Sequence, residues 1–192
     1  MEGRTAIPCN LQRFTNGINV SAARDLVKLI EQDSDQARYR FTVHNEWVDG
    51  AYTRSIISRF YNAKGSVDHA RQFVVVAGRP PALTGHDRGP SPFEHLLNAL
   101  AACMTDAMVY HAATHGIRIE ELESDVEGDI DIRGALGLSE HIQRGYQAIR
   151  VRFQVKTDEE ELGKLKAFSM FSPVYDSVSR GTPIEITVVR KG

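Results

Sequence analysis

Few residues in this chain can do covalent chemistry. It has two cysteines, Cys9 and Cys103, far apart and without the CxxC or CxxH spacing of a zinc site or a disulfide framework. Cys103 sits inside the apolar run LLNALAACMTDAMVYHAATHG, residues 96–116. A cysteine attacks as its thiolate, and a nearby cation or a helix N-terminus is what lowers the thiol pKa. Cys103 lies too deep in its own helix for the dipole to help. Any activating charge must therefore come from another segment, and arginine is the expected donor. At about 100° per residue, Cys103 shares a helical face with Leu96, Ala99, Leu100, Asp106, Ala107 and Tyr110. That face is largely core-like, and free cysteine is among the most buried residue types. Two readings stand: a working thiol, or a small inert hydrophobe.

The other groupings are weaker. His111 and His115 form an HxxxH pair, but no nearby carboxylate or cysteine completes a metal site, so no metal is expected. Glu127, Asp129 and Asp131 alternate along a strand-like run without the ligand, glycine and terminal glutamate pattern of a calcium loop, and read as a solvated strand face. There is no phosphate loop and no serine-nucleophile elbow. No cofactor is expected.

The elements that must position Cys103 are legible from periodicity. NVSAARDLVKLIEQD is an opening helix with Asn19 or Ser21 as cap. ARYRFTVHNEWV and GAYTRSIISRFYN are two strands joined near Asp49-Gly50, and RQFVVVAG is a third, stopped by Gly78 and Pro80-Pro81. The long helix starts at Ser91-Pro92 with Glu94 closing a capping box, and stops at Gly116. Its apolar positions spread around most of the circumference, so one sheet cannot cover it, and a partner subunit is expected. After it come a strand over IRIEELESDVEGDIDIRG, a loop over ALGLSEHIQRG and a strand over YQAIRVRFQVKT. A second capping box, Thr157 with Glu160, opens a further helix. Ser172-Pro173 starts a short one ending at Gly181, and PIEITVVRK closes the chain as a strand. Strands interleave with helices without regular βαβ alternation, which predicts an α+β fold.

Composition narrows the partners. The chain has 192 residues, 42% hydrophobic and 25% charged, with a formal net charge of -2. That is the profile of an ordinary globular protein and carries no broad nucleic-acid footprint. The N-terminus lacks the basic start and apolar run of a secretory signal, and the Cys103 stretch is too broken by polar residues to span a membrane. A cytoplasmic protein with reduced thiols, bound to neither membrane nor nucleic acid, is the expectation.

The run RGPSPFEHLLNALAACMTDAMVYHAATHGIRIEELESDVEGDIDIRGALG, followed by IRVRFQVKTDEEELGKLKAF and SPVYDSVSRGTPIEITVV, resembles the OsmC/Ohr family, named for osmotically induced protein C and organic hydroperoxide resistance. The resemblance covers roughly residues 37–190. It divides the chain into an N-terminal extension, residues 1–36, and an OsmC-like domain, residues 37–192. It implies antiparallel sheets around long buried central helices in an intertwined homodimer, with active sites at the subunit interface. In the family's peroxidases a cysteine on the central helix attacks an organic hydroperoxide and becomes a sulfenic acid. A second cysteine condenses with it, an arginine stabilises the thiolate, and a glutamate near the helix start positions that arginine.

Carried over, Cys103 matches the peroxidatic cysteine. The second cysteine normally precedes the late proline, where this chain has Ser172, so resolution falls to an external thiol or to Cys9. The family glutamate follows the helix-start proline, where this chain has Phe93; Glu94, one position on, points away from the Cys103 side. Arg54 and Arg59 are the arginine candidates, with Arg54 preferred. Two functions follow: thiol-dependent hydroperoxide reduction at Cys103, or a non-catalytic dimer holding a small hydrophobic ligand, with Cys103 lining the wall.

Overall fold

The computed structural model describes residues 14–192. Cys9 lies outside the described residues. The chain divides into two compact units, one running up to Asn98 and the other from Ala99 to Gly192, described in turn.

The first unit opens with a hairpin, β1 (Phe14–Thr15) and β2 (Ile18–Asn19). Its turn residues Asn16 and Gly17 have φ of 51° and 77°, both left-handed, as a two-residue hairpin requires. Helix α1 (Val20–Gln32) follows directly, and Asn19 is its cap, accepting from the Ala22 N–H at 3.1 Å. Val20 and Ala23 are buried, whereas Leu26, Val27 and Leu29 are exposed. The sheet is built on β5 (Tyr52–Asn62). Strands β3 (Arg40–Phe41) and β4 (His44–Asp49) pair antiparallel along one side of it, and β6 (Gly65–Ala77) along the other. The predicted first strand is thus interrupted at Thr42-Val43. The third is six residues longer than the RQFVVVAG pattern suggested, because the β5–β6 hairpin continues to a tight turn after Asn62. Tyr39, Phe41, Phe60, His69 and Phe73 form a row of rings with successive centroids 5.4–6.2 Å apart.

The loop after β6 doubles back, with the Gly78 N–H bonding the Pro90 carbonyl at 3.0 Å. Gly85 is obligatory in that loop: a Cβ there would sit 2.0 Å from the Arg79 carbonyl oxygen. Helix α2 (Pro92–Thr114) then starts with the predicted capping box. Glu94 Oε2 accepts from the Ser91 N–H at 2.6 Å and from its hydroxyl at 2.7 Å.

In the second unit α2 buries Leu100, Met104, Ala107, Met108, Ala112 and Ala113. It stops at Gly116, whose φ is +76°, and the Ile117 N–H returns to the Ala112 carbonyl at 2.9 Å. Strands β7 (Glu121–Ile130) and β8 (Tyr146–Lys156) form a long antiparallel ribbon. Their inward Leu122, Phe153 and Val155 pack on a core of Met108, Ala112, Ile117 and Leu165. A four-residue helix α3 (Ile132–Ala135), capped by Asp131, begins the connection that the sequence pattern assigned to strand end and loop. Helices α4 (Leu162–Ser169) and α5 (Pro173–Arg180) complete the unit.

Two expectations fail here. The capping box at Thr157 and Glu160 does not form, because the Thr157 hydroxyl donates to the Arg118 carbonyl at 2.7 Å and the chain enters α4 through a 3₁₀ turn instead. The closing strand over residues 183–191 is absent as well: that segment joins no ladder in this chain. Among the described residues, no helix is long and apolar enough to cross a membrane.

Candidate active-site residues

Cys103 lies on α2 in the second unit as a free, half-buried thiol. Met104 and Ala107 beside it are buried, while Asp106, one turn on, is exposed. The helix therefore fixes the sulfur on the border between core and surface. Such a position holds a thiol rigidly and leaves it reachable, as a nucleophile requires.

Ser172, the residue before the late proline Pro173, has a structural task. It is fully buried, and its hydroxyl accepts from the Tyr175 N–H at 3.1 Å as the N-cap of α5, with Pro173 in the first helical position. A hydroxyl meets this cap far better than a thiol, which is a weak acceptor.

Arg54 and Arg59 both lie on β5 in the first unit, on opposite sides of a register shift between Ile57 and Arg59. Arg54 stands directly opposite Glu46 on β4, and its Nη2 donates to Glu46 Oε2 at 2.7 Å. The other carboxylate oxygen is 3.6 Å from His44 Nε2. The Arg54 hydrogen bond and charge hold the Glu46 carboxyl below the usual range, and the same contact raises Arg54. Arg59 is bound more loosely, its Nε 3.4 Å from Asp68. Arg54 is thus the guanidinium held by the shorter contact. The sequence carries a signal for the Glu46–Arg54 pairing that periodicity alone does not show: residues 46 and 54 are nearly equidistant from the Asp49-Gly50 turn, and a tight hairpin brings such residues opposite each other.

The remaining groupings have other partners. His115 Nδ1 lies 2.7 Å from the His111 carbonyl, and the His111 ring packs on Phe168 and Phe171, with centroids 5.6 and 4.5 Å away. Burial, then the charge of His115, keeps His111 below the ordinary imidazole pKa. Glu127 and Asp129 face Arg150 across the ribbon, and Asp131 pairs with Arg133 while capping α3. Glu94, tied back to Ser91, is a capping residue.

Comparison with known proteins extends this picture. Similar folds occur in a Psychrobacter arcticus protein named for osmotic stress induction and detoxification, with TM-score 0.53, 14% identity and coverage of 71% of this chain and 86% of that one. An OsmC-like protein from Mycoplasma pneumoniae gives TM-score 0.53, 17% identity and coverage of 73% and 87%. An OsmC-like protein of unknown function from Vibrio cholerae gives TM-score 0.50, 12% identity and coverage of 72% and 92%. No curated protein matches the sequence. The sequence model of the OsmC-like proteins matches residues 85–187, more than half of the chain and inclusive of α2, Cys103 and Ser172, so the chain belongs to the OsmC-like protein family.

Proposed function

We propose that the protein is a homodimeric, cytoplasmic, thiol-dependent hydroperoxide reductase in which Cys103 is the nucleophile and an external thiol is the reductant. The observation that carries this reading is Cys103 itself: a free, half-buried thiol on the central helix of an OsmC-like chain, in a chain whose second-cysteine position is taken by Ser172. The Cys103 thiolate attacks the distal oxygen of ROOH, the O–O bond breaks, and the alkoxide leaves and takes a proton as ROH. Cys103 is left as a sulfenic acid. A small thiol attacks that sulfur, forming a mixed disulfide and releasing water, and a second thiol displaces Cys103 and leaves as the oxidised disulfide. Each cycle consumes two external thiols per hydroperoxide.

Arg54 is the group assigned to thiolate stabilisation, and Glu46 supports that assignment by fixing the guanidinium through a 2.7 Å charge-assisted hydrogen bond. Neither metal nor cofactor enters the scheme. The test is hydroperoxide consumption, with cumene hydroperoxide and a monothiol, by Cys9→Ser and Cys9→Ser/Cys103→Ser proteins. Activity is expected in the first and lost in the second. Equal consumption by both overturns the reading, and a Cys103 that resists alkylation until the protein unfolds turns the search to bound hydrophobic ligands.

A further inference from the structure

We propose that the first unit carries a binding site for a phosphate dianion, free or as the terminal group of a phosphate monoester, in the cleft between the Asp49-Gly50 turn and the loop that joins β6 to α2. Arg79, His86 and Arg88 are its donors.

The walls of the cleft are Asp49, Gly50 and Tyr52 from the β4–β5 hairpin and Arg79, His86 and Arg88 from the loop. It encloses about 40 Å³. One water needs roughly 10–15 Å³ on this scale, so the cleft takes one compact head group and leaves the rest of a larger ligand outside. Its charge is lopsided. Two guanidiniums and an imidazole share it with one carboxylate, Asp49, which lies 3.5 Å from Arg88 Nη1 and is 71% exposed. An exposed ion pair of that length is weak, and an incoming anion can replace it. The side chains of Arg79 and His86 have no hydrogen-bond or ion-pair partner among the described residues. Asp87, the loop's other carboxylate, does not line the cleft.

The loop is built to hold these groups. The Arg88 guanidinium lies 4.1 Å from the centre of the Tyr52 ring, so its planar fork is oriented before any ligand arrives. The Asp87 N–H bonds the Arg79 carbonyl at 2.9 Å, which ties Arg79 to the residue next to Arg88. Inside that closure Thr84 and Asp87 have φ of 63° and 52°, and Gly85 packs so closely on Arg79 that a Cβ would meet its carbonyl oxygen at 2.0 Å. A β-branched residue in the left-handed region is a genuine outlier. Such conformations cluster at ligand clamps, where surrounding contacts hold them.

The donor set decides the ligand. A carboxylate offers two oxygens and is satisfied by one guanidinium fork, which would leave a second arginine and a histidine idle. A phosphate monoester offers three terminal oxygens and close to two negative charges, which match two forks and an imidazole N–H.

The test uses the full-length protein at low ionic strength, titrated with inorganic phosphate, glycerol 3-phosphate and acetate. Calorimetry gives the affinity. Fluorescence of Trp47, the chain's single tryptophan, gives the place, because its indole N–H bonds the carbonyl of the cleft residue Gly50 at 2.9 Å. A Kd of about 1 mM or below is expected for phosphate, with a change in Trp47 fluorescence, and acetate should bind at least about 10-fold more weakly. Saturation by both phosphates assigns the terminal group of an ester, and saturation by inorganic phosphate alone assigns the free ion. Arg79→Gln and Arg88→Gln should each weaken binding by about 10-fold or more, while Arg38→Gln, at an exposed arginine outside the cleft, should change it by less than about 2-fold. Asp49→Asn removes the competing carboxylate and should tighten binding by about 3-fold or more, an effect that misfolding cannot imitate. The site is overturned by any of five results: no saturation, acetate bound as tightly as phosphate, an unchanged Trp47 signal, equal losses from all three arginine variants, or binding that Asp49→Asn leaves unchanged or weakens.

Discussion

Replacing Ser172 with alanine separates a structural serine from a chemical one. The side chain is fully buried and accepts from the Tyr175 N–H at 3.1 Å as the cap of α5. Loss of a serine N-cap costs typically about 1 kcal/mol, within roughly 0.5 to 2. Because the Ser172 side chain is fully buried, water reaches the abandoned N–H poorly, which moves the expectation for Ser172→Ala to the upper part of that range. For a chain of this size each kcal/mol corresponds to about 2–4 °C in Tm, so a fall of roughly 3–8 °C is expected. Ser172→Cys should lose less, since it keeps the volume and a weak acceptor. Urea titration with unchanged slope gives the free-energy difference, and hydroperoxide turnover with a monothiol gives the chemistry. Ser172→Ala is expected to be destabilised and fully active. Unchanged stability would refute the capping argument, and a folded but inactive protein would show that the hydroxyl takes part in turnover.

Glu46→Gln should raise the inflection of Cys103 alkylation against pH in a Cys9→Ser background while hardly altering stability, because both partners of the exposed pair remain solvated; an unmoved inflection removes Glu46 as a positioning residue. Leu165→Ala deletes a side chain only 1% exposed at the centre of the second unit's core, and should cost about 2–5 kcal/mol in chemical denaturation. His111 is held below the ordinary imidazole value, so its contribution to stability is complete above about pH 6.5 and is lost as pH falls through the folded pKa. His111→Phe, which keeps the ring packing, should flatten that part of the stability profile, and parallel profiles for the two proteins would disprove the assignment.

What the sequence made legible was local. Asn19, Ser91 with Glu94, Gly116 and Ser172-Pro173 each mark a helix end through hydrogen bonds to residues at most a turn away, and each does so in the structure. Thr157 had the same local pattern and failed, because a carbonyl thirty-nine residues distant, that of Arg118, offered its hydroxyl a partner at 2.7 Å. The β7–β8 ribbon was readable because one face is mostly charged and the other mostly apolar. The same alternation over residues 184–188 joins no ladder in the structure, because a period of two marks a strand only where another edge pairs with it.

The arginine site illustrates the same limit at the level of chemistry. The residue after Pro92 is Phe93, and the neighbouring Glu94 spends its carboxylate on Ser91, with two hydrogen bonds to one oxygen. Across the sheet Arg54 has a carboxylate partner, because the Asp49-Gly50 turn sets Glu46 opposite it. The two solutions differ mechanically. A carboxylate on a helix can hold an arginine only as well as helix and sheet are held together, whereas a carboxylate on the adjoining strand is fixed by the same ladder that carries the arginine. In this chain Glu46 and Arg54 lie on the paired strands β4 and β5, so the orientation of the guanidinium is set within the hairpin itself.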